Sequence, residues 1–410
     1  MASIRKRGNS YQIIVSNGRR ADGSQIVETT TFTPDPKRTE KQNQKALEKF
    51  VFEFEEKVKS GKFLDGEKMT FQAFADTWLS DYALQHLEPT TIDIYKKLLH
   101  VHIIPAIGSL KLARIQPAHL NKLYNSMLQE RKDGRPGGYS PTTIKRVHAL
   151  ISSIMNTALR WNVVLENPCE RVSPPKQMRD TNDIKFFTLE ESSVFLDAVD
   201  SALAAGRIHL QHKVFFHLAL FCGLRRGELV ALTWPDFDFK RNTVSITKST
   251  GLVDGKPYTK APKNKTSVRA VSVPESVMML VRSYQKEQYR LRLSLGSYWK
   301  GDNYLFIQAD GKQMYPSTPY SVFKDVIHRH NQTAGDAEQL PEIPLHGLRH
   351  TSATLLISQN VDVRTVSGRL GHAQTSTTMN IYSHQLQSMD EKAAGTLENL
   401  LHHPEKSKIC

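Results

Sequence analysis

A chain of 410 residues with a formal net charge of +14 is too long for one ordinary hydrophobic core, so two or three domains are expected. Its 39% hydrophobic and 23% charged residues exclude a disordered chain, and no apolar run reaches the roughly eighteen residues that a membrane span needs. Cys169, Cys222 and Cys410 are widely separated and suggest neither a disulfide framework nor a Cys-x-x-Cys site, which points to a reducing cytoplasm. The basic start has no long apolar stretch behind it, so no secretory signal is read. The positive charge favours a polyanionic partner, and it comes in blocks. The first twenty residues hold five Lys/Arg and no acid; residues 240–269 hold eight against one Asp.

Residues 1–62 begin with "SYQIIVS" and "QIVETTTF", which are rich in β-formers, around an Asp-Gly turn signal in "GRRADGSQ". A helical pattern from Thr39 to Lys59 follows. The expectation is a short sheet with one helix, able to lay a face in a DNA major groove. Arg5, Lys6, Arg7, Arg19 and Arg20 would then meet phosphates; a solubilising edge explains them equally well. Residues 68–170 read as helical throughout. One helix in them begins at "EPTT" and stops near Pro105, and another follows a Ser140 cap with Pro141 in its first turn. Lys145, Arg146 and His148 on that last helix face DNA or merely solvent. Residues 171–183 read as a linker rich in proline and charge.

The largest domain is expected over residues 184–400, with helices near 188–205, 211–222 and 275–293. "NTVSITKS" and "SVRAVSVPE" read as strands around a turn-rich "GLVDGKPYTKAPKNKT", and residues 401–410 as a flexible tail. The fold class is therefore multidomain and mainly α-helical: a small β-sheet plus helix, a helical domain, and a mostly α domain with a β-hairpin insert. No phosphate-binding loop, dinucleotide fingerprint or His-Glu-x-x-His pattern occurs, so no cofactor and no metal are expected.

Four stretches could carry chemistry. "FCGLRRGELVALTW" sets Arg225 after a tight Gly223-Leu224 exit, with Glu228 three positions on, as an internal pair or a phosphate clamp. "KAPKNKTSVR" groups Lys260, Lys263, Lys265 and Arg269 beside a turn, where lysines can reach phosphates or donate a proton. "LHGLRHTSATLL" puts His346 and Arg349 on one side of a helix start, with His350 pointing elsewhere. "RLGHAQTSTTMNIYSH" adds His372 and Tyr382, read either as an inward-packed aromatic or as a nucleophile with a histidine at its leaving group.

Arg225, Lys263, His346-x-x-Arg349, His372 and Tyr382 follow one another at gaps of 38, 83, 3, 23 and 10 residues. This order resembles the tyrosine recombinase (phage integrase) family, in particular integrases of conjugative transposons, integrative conjugative elements and Gram-positive temperate phages. The resemblance implies that Arg225 and Arg349 are catalytic arginines with Glu228 supporting. It makes Lys263 the hairpin lysine (Lys265 being the neighbouring alternative), His346 and His372 the histidines, and Tyr382 the nucleophile. It further implies an arm-type DNA-binding domain, a core-binding domain of SAM-like type and a catalytic domain, in the order set out above. The partners implied are double-stranded core and arm attachment sites, a homotetramer on DNA, a small excisionase and a host DNA-bending protein, with no membrane. Leu397, Leu400 and Leu401 would lie on a short terminal helix packed on its own or a neighbouring protomer. The implied activity is site-specific recombination through a 3′-phosphotyrosyl intermediate. The alternatives are a DNA-relaxing type IB topoisomerase, a catalytically inactive DNA-binding regulator, and an RNA-binding helical protein.

Overall fold

The computed structural model describes residues 2–19, 23–59, 68–176, 185–261, 268–372, 374–381 and 398. The chain divides into two units, Met1–Met178 and Arg179–Cys410.

In the first unit, strands β1 (Ser3–Arg7), β2 (Ser10–Arg19) and β3 (Gln25–Phe32) form one antiparallel sheet in that order. Arg5 pairs with Gln12 and Arg7 with Ser10, while Ile14 pairs with Thr29. Helix α1 (Glu40–Lys59) starts on a reciprocal cap: the Thr39 hydroxyl accepts from Gln42 N–H, and the Gln42 amide oxygen accepts from Thr39 N–H. Its Leu47, Phe54 and Val58 bury Ile13 and Val15, so one sheet face is covered.

The rest of this unit is helical. Helix α2 (Phe71–Trp78) is capped by Thr70 and runs through a π turn, Leu79–Ala83, into α3 (Leu84–His86). Helix α4 (Pro89–Leu98) likewise passes through a π turn, Leu99–Ile103, into α5 (Ile104–Ile107). The helix ends at Ile107, two residues past Pro105, close to the expected stop. The Val101 carbonyl, four residues before that proline, accepts from the Lys132 ammonium at 3.1 Å, so a side chain serves an acceptor that proline cannot. Helices α6 (Pro117–Gln129) and α7 (Pro141–Arg160) complete the bundle, the latter capped by Ser140 with Pro141 in its first turn. Trp78, fully buried, donates from Nε1 to Thr157 Oγ1 at 3.1 Å. Cys169 and Val172 also lie in this core.

The second unit is built on α8 (Leu189–Ala204), α9 (Leu210–Cys222), α10 (Arg226–Ala231), α11 (Glu275–Leu295), α12 (Thr318–Thr333), α13 (Gly347–Ser358), α14 (Val363–Leu370) and α15 (Thr375–Ile381). Phe187, Phe195, Phe215, Phe216, Phe306 and Phe323 are among the residues at its centre. Strands β4 (Phe237–Asp238), β5 (Thr243–Ile246) and β8 (Arg269–Ser272) form one sheet. Between them β6 (Ser249–Val253) and β7 (Lys256–Lys260) form a hairpin where the sequence reads as turn-rich. Asp254 and Gly255, at φ 48° and 75°, make a two-residue turn whose twist suits paired strands. Among the described residues, no helix is long and apolar enough to cross a membrane.

Candidate active site

Helix α9 ends at Gly223, whose φ of 63° is left-handed; a Cβ there would meet Leu370 Cδ2 at 2.7 Å. The chain turns through Leu224 and leaves Arg225 extended at the start of α10. Glu228 reaches back from the first turn: its Oε2 accepts from Arg225 N–H at 2.9 Å, and its Oε1 from Arg225 Nη1 at 2.8 Å.

Helix α14 supplies the other side. Asp362 caps its start by accepting from Thr365 N–H at 2.8 Å. It ends at Gly371, with φ 69°, where His372 N–H donates back to Ser367 O at 3.1 Å. Helix termini leave carbonyls without helical partners. Here three successive ones are taken by three arginines. Arg269 Nε donates to Arg369 O at 2.7 Å, Arg349 Nη2 to Leu370 O at 2.7 Å, and Arg225 Nη2 to Gly371 O at 3.0 Å. Arg349 Nη1 also donates to Gly223 O at 2.7 Å, so this buried arginine ties the exit of α9 to the exit of α14. Positive charge at a helix C-terminus is favourable, which adds to the hydrogen bonds.

His346 stands at the start of α13, three residues before Arg349. Partial burial, then the charges of Arg349 and Arg225, lower its pKa. His350 does not point elsewhere: its ring meets that of His346 edge-on at 4.9 Å. One helical turn separates the two, which places them on one face. His372 shares a hydrogen bond between Nδ1 and Thr378 Oγ1 at 2.8 Å. Burial, followed by Arg349 and Arg225, brings its pKa down to about 4. Both imidazoles are thus neutral at pH 7 and can donate or accept. Glu228 is buried, which alone would raise its pKa, but Arg269 and then Arg225 hold the net shift downward.

Arg269 is the residue whose position the sequence did not disclose. Expected among DNA-contacting residues, it is turned inward, with its side chain 8% exposed. Its Nη1 and Nη2 fork the two oxygens of Glu228 at 3.2 and 3.0 Å. Its partners lie 41 and 100 residues away, beyond any local pattern.

The structure thus brings Arg225, Glu228, His346, Arg349 and His372 together. Lys263, Lys265, Tyr382, Arg20, the leucines 397, 400 and 401, the linker from 177 and the tail lie outside the described residues. Lys145 and Arg146 are exposed on α7, whereas His148 turns to the Tyr124 hydroxyl at 2.9 Å. Lys260 ends β7 opposite Ser249; Arg5, Lys6 and Arg7 are exposed on β1, and of Arg19 only the backbone is described. A cluster of guanidiniums with two neutral imidazoles and one carboxylate shared between arginines is suited to an oxyanion such as a phosphodiester.

Known proteins share this arrangement of elements. The family described as "Phage integrase family" matches residues 185–389, and "Phage integrase, N-terminal SAM-like domain" matches residues 70–128. A tyrosine recombinase XerC-like protein of Caldanaerobacter subterraneus is 27% identical over 95% of this chain and 96% of its own length. The ICEBs1 integrase of Bacillus subtilis is 30% identical over 66% of this chain and 69% of its own. In fold, a Tn1549 transposon integrase in complex with a circular intermediate DNA aligns with a TM-score of 0.63 at 19% identity, over 79% of this chain and 99% of that one. A lambda integrase tetramer bound to a Holliday junction aligns with a TM-score of 0.55 at 13% identity, over 91% and 96%.

Proposed function

The chain belongs to the phage integrase family and is a tyrosine site-specific recombinase, and from that premise we propose which of its residues carry the reaction. The Tyr382 phenol attacks the scissile phosphorus while Arg225 and Arg349 hold the nonbridging oxygens. Arginine suits this role because it stays charged whatever its burial and offers planar paired donors. The P–O5′ bond breaks, and the departing oxygen takes a proton from Lys263, with Lys265 as the neighbouring alternative. His346 and His372, neutral at pH 7, add donors and accept the proton that the attacking phenol gives up.

The product is a 3′-phosphotyrosyl strand with a free 5′-hydroxyl. A second 5′-hydroxyl attacks, takes the 3′-phosphate and returns the phenol. Each transfer exchanges one phosphate ester for another, so no external energy source is required. The observation that carries this reading is that Arg225 and Arg349 sit on neighbouring carbonyls of one helix end. Two guanidiniums that close, rigidly held and near His346, can grip a single phosphate.

Four such protomers acting on two duplexes would complete recombination, a state supported by the fold shared with the lambda integrase tetramer. We propose that residues 1–62 bind arm-type sites, 68–170 the core site, and 184–400 carry the chemistry. A small excisionase and a host DNA-bending protein would direct excision and integration, in the cytoplasm of a cell carrying the mobile element or prophage. The test is a nicked suicide duplex that loses its 5′-hydroxyl fragment after cleavage. Wild type traps a covalent adduct whose labelled peptide contains Tyr382; Tyr382→Phe binds the same duplex and traps none. An adduct in that variant refutes the nucleophile assignment.

A further inference from the structure

We infer that Arg269 is a positioning residue for the phosphate clamp, acting through Glu228 and the end of α14 rather than touching DNA itself. Three observations carry this. First, all three of its guanidinium nitrogens are spent inward, Nη1 and Nη2 on the two oxygens of the Glu228 carboxylate and Nε on the Arg369 carbonyl. Second, Glu228 receives two arginines, Arg225 at 2.8 Å and Arg269 at 3.0 Å, with only 5% of its side chain exposed. Third, Gly371 is shaped around this residue: a Cβ there would lie 2.8 Å from Arg269 Nη1 and 3.0 Å from its Cζ.

The electrostatic consequence follows from counting charges. Arg225 paired with Glu228 alone is a neutral couple, poorly suited to an approaching anion. Adding Arg269 makes the group Arg225, Glu228 and Arg269 net positive by one. Glu228 can then orient the Arg225 side chain without cancelling its pull on phosphate. The buried Glu228 carboxylate and the buried Arg269 also lose little to solvent screening, with Arg225 the more exposed partner.

The geometric consequence runs along the backbone. Arg269 holds carbonyl 369, Arg349 holds carbonyl 370 and Arg225 holds carbonyl 371. Releasing the first loosens the register of the other two, and of His372, which follows directly. Both catalytic arginines and one histidine are thereby referenced to a residue on β8, outside every helix that carries them. A lysine cannot replace it, because one ammonium cannot fork Glu228 and reach Arg369 O together.

The inference rests on the strand-transfer reading above, and the suicide duplex separates the two. Arg269→Ala and Arg269→Lys are compared with wild type on a core duplex with an ordinary scissile phosphate. They are compared again on one with an uncharged methylphosphonate there. The expected result is core-site affinity within about threefold of wild type in gel shift, with covalent capture of the ordinary duplex slowed about a hundredfold in Arg269→Ala. The loss should shrink to less than about tenfold on the methylphosphonate duplex, which has no anionic charge to match. Free guanidinium ion should recover part of the rate. Should Arg269→Ala fail to fold, Arg269→Lys, which keeps the charge, is still expected to lose about tenfold on the ordinary duplex only. Equal losses on both duplexes would show a purely structural role, and a wild-type rate in Arg269→Lys would also overturn the inference. Absence of capture by wild type would instead sink the strand-transfer reading itself.

Discussion

Arg225 and Arg349 grip adjacent carbonyls of one helix end, Gly371 O at 3.0 Å and Leu370 O at 2.7 Å, although 124 residues separate them. The relationship makes α14 a ruler for both guanidiniums. It also links stability to chemistry, since the same donors that finish a helix orient the charges of the site.

Arg349→Lys tests that link. Arg349 is buried and serves two carbonyls from different helices, Gly223 O and Leu370 O. Lysine can keep one bond and leaves the other acceptor without its partner. The expected outcome is a stability loss of about 1–3 kcal/mol, read from the urea midpoint. Covalent capture should fall by about a hundredfold or more. Capture at the wild-type rate with unaltered urea resistance would show that the double grip is dispensable.

Acid should weaken the second unit through its histidines. Burial is the leading cause that holds His212, His350 and His372 down to about 4, against an ordinary value of 6.5. Below pH 6.5 the unfolded chain takes up these protons while the folded chain resists until about pH 4. The unfolded state therefore binds more protons in that window, and stability falls as pH drops through it. The Tm should decline between pH 7 and pH 5. His212→Asn, which keeps an acceptor near Nδ1 for His209 N–H but cannot titrate, should flatten the slope. An unchanged slope would show that His212 does not contribute.

Gly371→Ala should cost more than Gly206→Ala. Both glycines are left-handed, at φ 69° and 66°. A Cβ at Gly206 meets nothing within 4 Å, whereas one at Gly371 meets the pinned Arg269 guanidinium at 2.8 Å. Backbone strain alone should cost Gly206→Ala about 1 kcal/mol. Gly371→Ala should lose more than that and also slow capture, because Arg269 must shift. Equal destabilisation of the two variants, with capture intact, would remove Arg269 from the account of Gly371.

Much of this site is legible in the sequence because its parts are local. Gly223 ends α9 where a left-handed residue is needed, and away from the site Ser140 caps α7. Arg225 and Glu228 sit one helical turn apart, as do His346 and Arg349, so spacing alone brings each pair to one face. The inward turn of Arg269 is not legible, since its partners come from α10 and α14 through tertiary packing. The β6–β7 hairpin is a different case. Its Asp254-Gly255 turn is a strong local signal, hidden by a glycine, proline and lysine content that reads as loop. The helix runs two residues past Pro105, after a π turn and with Lys132, from the turn that follows α6, serving the Val101 carbonyl.

The amino-terminal sheet offers a test in which neighbouring residues should behave differently. Side chains alternate across a strand, and Ile13 and Val15 face α1. Ile4 pairs with Ile13 and Lys6 with Tyr11, so these belong to the covered side; the Lys6 ammonium lies 5.9 Å from the Tyr11 ring. Arg5, opposite Gln12, and Arg7, opposite Ser10, belong to the open side. If that open face meets arm-type DNA, Arg5→Ala and Arg7→Ala should each weaken arm-site binding and lower the slope of log affinity against log salt by about 0.9 for each phosphate no longer neutralised. Lys6→Ala should change both far less, and all three variants should cleave a core-site duplex at the wild-type rate. Equal salt slopes for Arg5→Ala, Arg7→Ala and wild type would place arm binding on another surface of the chain.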